Sequence, residues 1–496
     1  MATTSPTTIQ PVRPAARTRP DNRQKAPRRI PWLSLVAVAY AITQLLLVVG
    51  RFGPGWDETV YISQLDPHRP AAFFSAPRSR GISLLVAPVT AVTDSTTGLR
   101  IALTLLSALG LYAAFRVWQP LLGRCTSALA ALLFSTLWVA VLYGPQAMPN
   151  LWVALTAVAA LGWFLRAAGP DAPHRAYVLL AGSIAAATLF RFSDGIWLTL
   201  ALPAACLLVR ARHRPRLLLA VLGGLVLGSA QWAAEAYSRF GGIGTRLHLS
   251  STTEGGMHLH WNGSTARNAL DGPLLCRPCT IQPGPTTHAL WWFALPTLAL
   301  IACAVAVRVR RPATALPVAG AAALSAPYLL LIDYFAPRFL LPAYALLALP
   351  VAALTVRAIG AVRPGTPRLL TGAALTALLA AQLSTQYQDL HRNIASARAT
   401  AARYATTAEG LRHLGVHAPC LITGEHAPPI GFYTGCASAN VSGNNRNTTP
   451  AAIRRAAARE PTAVLTRKHH APFYARGWTA HPLRDSALIA YLPPHQ

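Results

Sequence analysis

The chain has 496 residues, 53% hydrophobic and only 12% charged, with a formal net charge of +28. Soluble proteins carry roughly 25% charged residues, so this composition excludes an ordinary soluble domain. The charge alone would suit nucleic acid, but the arginines fall in short clusters between apolar blocks; that pattern orients a membrane protein and argues against a nucleic-acid partner.

Residues 1–29 are polar and rich in Arg and Pro, and read as a disordered, basic cytoplasmic tail. The apolar block at 30–50 can cross a bilayer core of ~30 Å and is followed by no small-x-small cleavage site. It reads as a first transmembrane helix. Further spans are expected near 99–116, 125–143, 150–168, 176–190, 195–209, 216–234, 289–307, 313–332, 339–356 and 368–384, about eleven in all. With the N-terminus inside, the connections 116–124, 166–175, 210–216, 308–311 and 357–368 are short, basic and cytoplasmic, as the positive-inside rule requires. The same count places the C-terminus outside.

Two outer loops are long, 51–97 and 235–288. Within the first, Ile82–Thr93 is apolar but too short to span, and reads as a helix lying on the membrane surface. After the membrane domain at 30–384, residues 385–496 change character. A helix from Gln386 to Leu414 precedes short apolar runs at Cys420–Thr423, Ala463–Thr466 and Ala487–Tyr491, with a helix expected at Ala451–Arg459. Strands alternating with helices predict a small extracytoplasmic α/β domain.

The chemistry gathers on the outer face. Gly55-Trp56-Asp57-Glu58-Thr59-Val60-Tyr61 puts adjacent carboxylates beside a span, where charge is costly and tends to be functional. A carboxylate there can act as general base, with or without a metal; the bland alternative is a helix N-cap at Asp57 or loop solvation. Neighbours on an extended segment point opposite ways, so Asp57 and Glu58 would not share one task. His68, Arg69, Arg78 and Arg80 lie in the same loop, and Arg191 and Arg338 stand at outer ends of later spans. A converging set of guanidiniums suits a phosphate; a single one is explained by snorkelling to lipid headgroups. His258 and His260 could share a strand face, but no third metal ligand is near in sequence. Cys276, Cys279, Cys420 and Cys436 fall in outer segments and are expected in disulfides, with three pairings open and Cys276–Cys279 and Cys420–Cys436 preferred for proximity alone. Cys125, Cys206 and Cys303 fall in spans and read as packed apolar residues.

Taken together, these residues resemble the GT-C class of membrane glycosyltransferases, in particular bacterial protein O-mannosyltransferase and lipid A aminoarabinose transferase relatives. The matching features are an inside N-terminus, a first outer loop opening with Asp57-Glu58 and Tyr61, a surface helix in that loop, Pro337-Arg338-Phe339-Leu340-Leu341-Pro342 at the entry of a late span, and a small outer domain. Two departures stand out. Pro77-Arg78-Ser79-Arg80-Gly81 occupies the place of a His-Pro-Pro type motif, and Gln146 stands where relatives often carry a second acid.

The resemblance implies an all-α polytopic, GT-C-like membrane domain with the α/β appendage. It implies a glycosyltransferase that moves a hexose or pentose from a polyprenyl-phosphate sugar lipid to a hydroxyl on an extracytoplasmic glycan, lipid or protein, with inversion. Asp57 and Glu58 would be catalytic. Tyr61, His68, Arg78, Arg80, Arg191 and Arg338 would bind substrate. A divalent metal is compatible with this chemistry but no cofactor is demanded. The rival classes are a transporter, disfavoured because ionisable residues avoid mid-span positions, and a non-catalytic polyprenyl-lipid-binding scaffold.

Overall fold

The computed structural model describes residues 30–208, 214–308, 312–483 and 486–494. The expected tail at 1–29 and parts of the basic connections at 209–213 and 309–311 lie outside these residues, as does the side chain of Cys206.

Five helices among the described residues are long and apolar enough to cross a membrane: Thr96–Arg116, Pro149–Ala167, Arg214–Phe240, Thr286–Arg308 and Pro337–Ala361. Shorter apolar helices occupy Trp32–Leu47, Gly81–Thr90, Arg124–Ser135, His174–Phe190 and Ala315–Leu330. The count of eleven spans is thus not reached by length and composition, because several expected spans are short or interrupted. The segment expected as one span at 125–143 breaks into Arg124–Ser135 and Trp138–Tyr143. At the break, the Trp138 N–H donates to Gln386 Oε1 at 2.8 Å instead of to the preceding turn. The opposite happens at 385, where the expected span at 368–384 and the expected helix from Gln386 are one continuous rod, Thr366–His413, of 48 residues, or ~72 Å at 1.5 Å per residue.

Pro149–Ala167 and Pro337–Ala361 form the centre of the bundle, with 72% of each apolar stretch buried. Arg214–Phe240 and Thr286–Arg308 lie at its edge and leave Leu219, Val226, Leu227 and Leu300 exposed. Uncovered aliphatic faces on helices whose backbone bonds are internally satisfied are what hydrocarbon tolerates. The chain is a multi-pass membrane protein.

The C-terminal part carries a five-stranded sheet: β1 Leu421–Gly424, β2 Ala437–Ala439, β3 Thr462–Thr466, β4 Thr479–Pro482 and β5 Ile489–Leu492. The order is β2-β1-β3-β5-β4, with β2, β1 and β3 parallel and β5 antiparallel to both its neighbours. Sequence reading finds β1, β3 and β5, whose residues are buried and aliphatic, and misses the short β2 and the exposed β4. Residues such as Ile422, Ala463 and Leu465 face Leu411 and Ile430 in one core; Val464, Tyr491 and Ile453 form a second on the other face. Disulfide Cys420–Cys436 ties the start of β1 to the start of β2.

Candidate active site

Helix Trp56–Ile62 begins directly after the turn that ends Trp32–Leu47. Its first turn is anchored by Glu58, which is 4% exposed. Glu58 Oε2 accepts from the Gly55 N–H at 3.1 Å and from Arg100 Nη2 at 3.1 Å; Oε1 accepts from the Ala147 N–H at 3.1 Å and from Arg100 Nη1 at 3.3 Å. Four donors on two oxygens leave this carboxylate no capacity for substrate, and it does not line the cavity described below. The Glu58 side chain thus fixes the helix that presents its neighbour.

Asp57 points the other way. Its Oδ1 accepts from Arg78 Nη2 at 2.7 Å and its Oδ2 from Arg338 Nη2 at 2.8 Å. Arg78 comes from the loop after Trp56–Ile62, and Arg338, 281 positions from Asp57, from the 3₁₀ turn Pro337–Leu340, so distant segments close on one carboxylate. Burial pushes the Asp57 pKa up, but Arg78 and Arg338 outweigh it and hold the group below its ordinary value. Asp57 is ionised at neutral pH.

The Arg78 loop is held from behind. Arg246, fully buried, donates to the carbonyls of Ala76 at 3.0 Å, Arg78 at 3.0 Å and Trp232 at 2.7 Å, and pairs with Glu235 at 3.2 Å. Gly81 opens helix Gly81–Thr90 where a Cβ would lie 2.6 Å from the Leu189 carbonyl oxygen; a larger residue would push this loop off the helix end that carries Arg191.

Asp57, Tyr61, Arg78, Arg191 and Arg338 line one cavity of about 270 Å³. Two residues that sequence reasoning missed, Arg277 and Glu254, join them. Arg277 stacks over Tyr334 at 4.4 Å, and the Tyr334 hydroxyl donates to Glu254. Burial and then Glu254 push the Tyr334 pKa above its usual value, so the phenol remains a donor. Disulfide Cys276–Cys279 staples the loop that carries Arg277, and backbone bonds between Cys276 and Phe335 pin it to the segment leading into Arg338. Four arginines thus face two carboxylates in the lining, a surplus of two positive charges. Arg191 pairs with Asp194 only at 3.6 Å, and Arg277 has no ion pair among the described residues, its one hydrogen bond going to the Thr253 carbonyl at 2.8 Å. Asn150, also in the lining and fully buried, has no partner for either its amide nitrogen or its oxygen. Buried polar groups are normally satisfied, so an orphan amide in a cavity wall marks a place for a polar ligand.

Arg80 and His68, expected to bind substrate, do not line the Asp57 cavity. Arg80 is spent on Glu235, at 2.6 Å, and on Gln64, at 2.7 Å. His68 is exposed beside Asp66, which receives its N–H. Gln146 is buried, donates to the Leu142 carbonyl at 3.0 Å and does not line the cavity. The residues around Asp57 do not fit a divalent cation, because both carboxylate oxygens are taken by guanidiniums and the lining is cationic. His258 and His260 stack on each other at 4.6 Å without a third ligand among the described residues.

No family model matches the sequence, and no curated protein matches it. Solved structures do. ArnT from Cupriavidus metallidurans bound to undecaprenyl phosphate is similar over 92% of this chain and 98% of that one, with a TM-score of 0.62 and 14% identity. The apo form of ArnT gives a TM-score of 0.65 at 13% identity, over 92% of this chain and 97% of that one. The chain has the GT-C fold. The archaeal oligosaccharyltransferase AglB from Archaeoglobus fulgidus, in complex with an inhibitory peptide and a dolichol-phosphate, is similar at a TM-score of 0.53 and 14% identity. That match covers 82% of this chain and 64% of AglB. ArnT, the lipid A aminoarabinose transferase, and AglB are both GT-C glycosyltransferases. Within this GT-C fold the Asp57 cavity opens between the first loop, the entry of Pro337–Ala361 and the C-terminal part, from which Asn444 and Asn445 reach into it.

Proposed function

We propose that the protein is a membrane glycosyltransferase that moves a sugar from a polyprenyl-phosphate donor to a hydroxyl of an extracytoplasmic acceptor, inverting the anomeric centre. The observation that carries this reading is the ionised Asp57 held inside a cavity with surplus arginine charge. The solved ArnT and AglB structures that share the fold hold undecaprenyl phosphate and a dolichol-phosphate, which supports a lipid phosphate as the occupant here.

The acceptor oxygen attacks the anomeric carbon, and the bond from that carbon to the phosphate oxygen breaks, its electron pair leaving with the lipid phosphate. The hydroxyl proton passes to Asp57. Arg191 and Arg338 stabilise the charge that develops on the departing phosphate, as donors already in place and requiring no reorganisation. In the resting arrangement Asp57 is a weak base because two guanidiniums grip it. An anionic phosphate entering beside Arg338 draws on the same guanidinium and raises the basicity of Asp57, so base strength rises when the donor is present. Glu58 contributes by aiming Asp57.

The membrane orientation in this reading has the N-terminus inside and residues 385–496 outside, supported by the basic short connections. The test is purified protein in detergent, given polyprenyl-phosphate sugars and a panel of hydroxyl acceptors. Donor-dependent glycosylation is expected; stoichiometric lipid binding without any transfer would favour a lipid-binding scaffold instead.

A further inference from the structure

A second and larger cavity, about 550 Å³, lies in the C-terminal α/β unit and shares Trp56, Asn444 and Asn445 with the Asp57 cavity. It is lined where the parallel strands end: Gly424 closing β1 with Glu425 and His426 after it, Asn440 after β2, and Arg467 and Lys468 after β3. From β1 the chain passes to β2 on one side, then returns to β3 on the other, so the strand order reverses between β1 and β3. In open α/β sheets the crevice outside the carboxyl ends at such a reversal is where ligands bind.

The local backbone is arranged for an opening there. Gly424, at φ +93°, turns the chain off β1 against the Leu465 carbonyl, where no Cβ would fit. His426 follows in the left-handed region at φ 55°, a conformation disfavoured for any residue with a side chain and concentrated at ligand sites. Its ring meets the edge of Trp56 at 5.6 Å, joining the crevice to the residue next to Asp57.

The lining has a definite chemistry. Asparagine amides and the rings of Trp56 and Tyr474 offer the bidentate polar contacts and flat apolar faces that a polyhydroxylated ring uses. The fixed charges are Arg467, Lys468 and Glu425. Arg467 pairs with Glu425 at 3.0 Å, while Lys468 has no ion pair among the described residues. Lys468 is moreover one of two lysines in the whole chain, the other being Lys25. The net cationic character therefore rests on one compact ammonium group at the end of β3.

We propose that this crevice binds the acceptor, and that the acceptor is an anionic glycan whose phosphate or carboxylate group sits at Lys468 while its reacting hydroxyl extends past Trp56 to Asp57. The acceptor role rests on the glycosyltransferase reading; the binding site itself does not. The test uses the full chain in detergent, with saturation-transfer NMR titrations of maltotriose, phosphorylated maltotriose and trigalacturonic acid. Both charged trisaccharides, or one of them, bind more tightly than maltotriose, and the preferred one identifies the acidic group. Lys468→Glu, a change at an exposed side chain, weakens that binding at least about tenfold while leaving undecaprenyl phosphate binding at the parental level. Equal binding of all three sugars, no binding of any, or an unchanged Lys468→Glu variant overturns the proposal. Because the readout is binding without turnover, absence of sugar transfer would refute the enzymatic reading and leave this result standing on its own.

Discussion

Removing Arg100 tests whether Glu58 is a brace or a catalyst. Arg100 is 1% exposed and Glu58 4%, and the guanidinium supplies two of the four donors that the carboxylate receives. In Arg100→Ala each Glu58 oxygen keeps one backbone N–H, from Ala147 or Gly55, and a buried charge loses its counterion. Breaking a buried pair from one side costs about 3–5 kcal/mol, whereas neutralising both sides together costs far less. Arg100→Met with Glu58→Gln should therefore be more stable than Arg100→Met alone, with a coupling of roughly 0.5–3 kcal/mol in the double-mutant cycle. The assay is unfolding in mixed micelles of rising SDS fraction, followed by tryptophan fluorescence. In turnover, the folded double variant should stay within about tenfold of the parent, since general-base losses begin near 10²-fold. Independent, additive effects of the two substitutions, or a folded double variant whose turnover falls by the full general-base factor, would refute the assignment of Glu58 as a brace.

The other expectations concern the cavity and its supports. Arg338→Ala and Arg191→Ala should each weaken undecaprenyl phosphate binding by about 1.5–3 kcal/mol, with Lys restoring only part because it lacks the fork; parental affinity in both variants would place the phosphate elsewhere. Asp57 has a folded pKa below the ordinary 3.8, so its stabilising contribution is complete above that value and is lost as the pH falls through the lower folded value. Activity should accordingly show no acid limb from Asp57 in the free enzyme near neutrality, and Arg338→Ala should move that limb to higher pH in a kcat/KM profile; an unmoved limb would exclude the clamp. Mass spectrometry of unreduced peptides should find Cys276–Cys279 and Cys420–Cys436 linked and Cys125 and Cys303 alkylated; free thiols at all four outer positions would contradict the extracytoplasmic placement of those segments.

What the sequence discloses and what it hides divide along physical lines. Apolar blocks and basic connections report the membrane character because burial in lipid acts on local composition. Helix breaks do not: the interruption between Ser135 and Trp138 depends on Gln386, 248 positions later. Asp57 stands out in the sequence because two carboxylates beside a span are unusual, but nothing local tells which of Asp57 and Glu58 faces a cavity. That is decided by Arg100 and the backbone of Ala147. Arg78 and Arg80 look alike from sequence, yet one grips Asp57 and the other Glu235, since a charge does not announce its partner. Asn150, Arg277 and Glu254 carried no signal, being common residues whose importance comes only from the cavity they share. In the C-terminal unit, β1 and β3 were readable as buried aliphatic runs, but the reversal between them is a property of strand order and so appears only in three dimensions.

The central claim is that Asp57 takes the acceptor proton, and turnover of Asp57→Asn measures it most directly. The substitution keeps the size of the side chain and one acceptor oxygen while removing the base. With folding verified by detergent gel filtration, transfer from a polyprenyl-phosphate sugar should fall by about 10²–10⁴-fold. The lipid phosphate should still bind, because Arg191 and Arg338 remain. A folded Asp57→Asn protein that transfers sugar at near-parental rate would contradict the account.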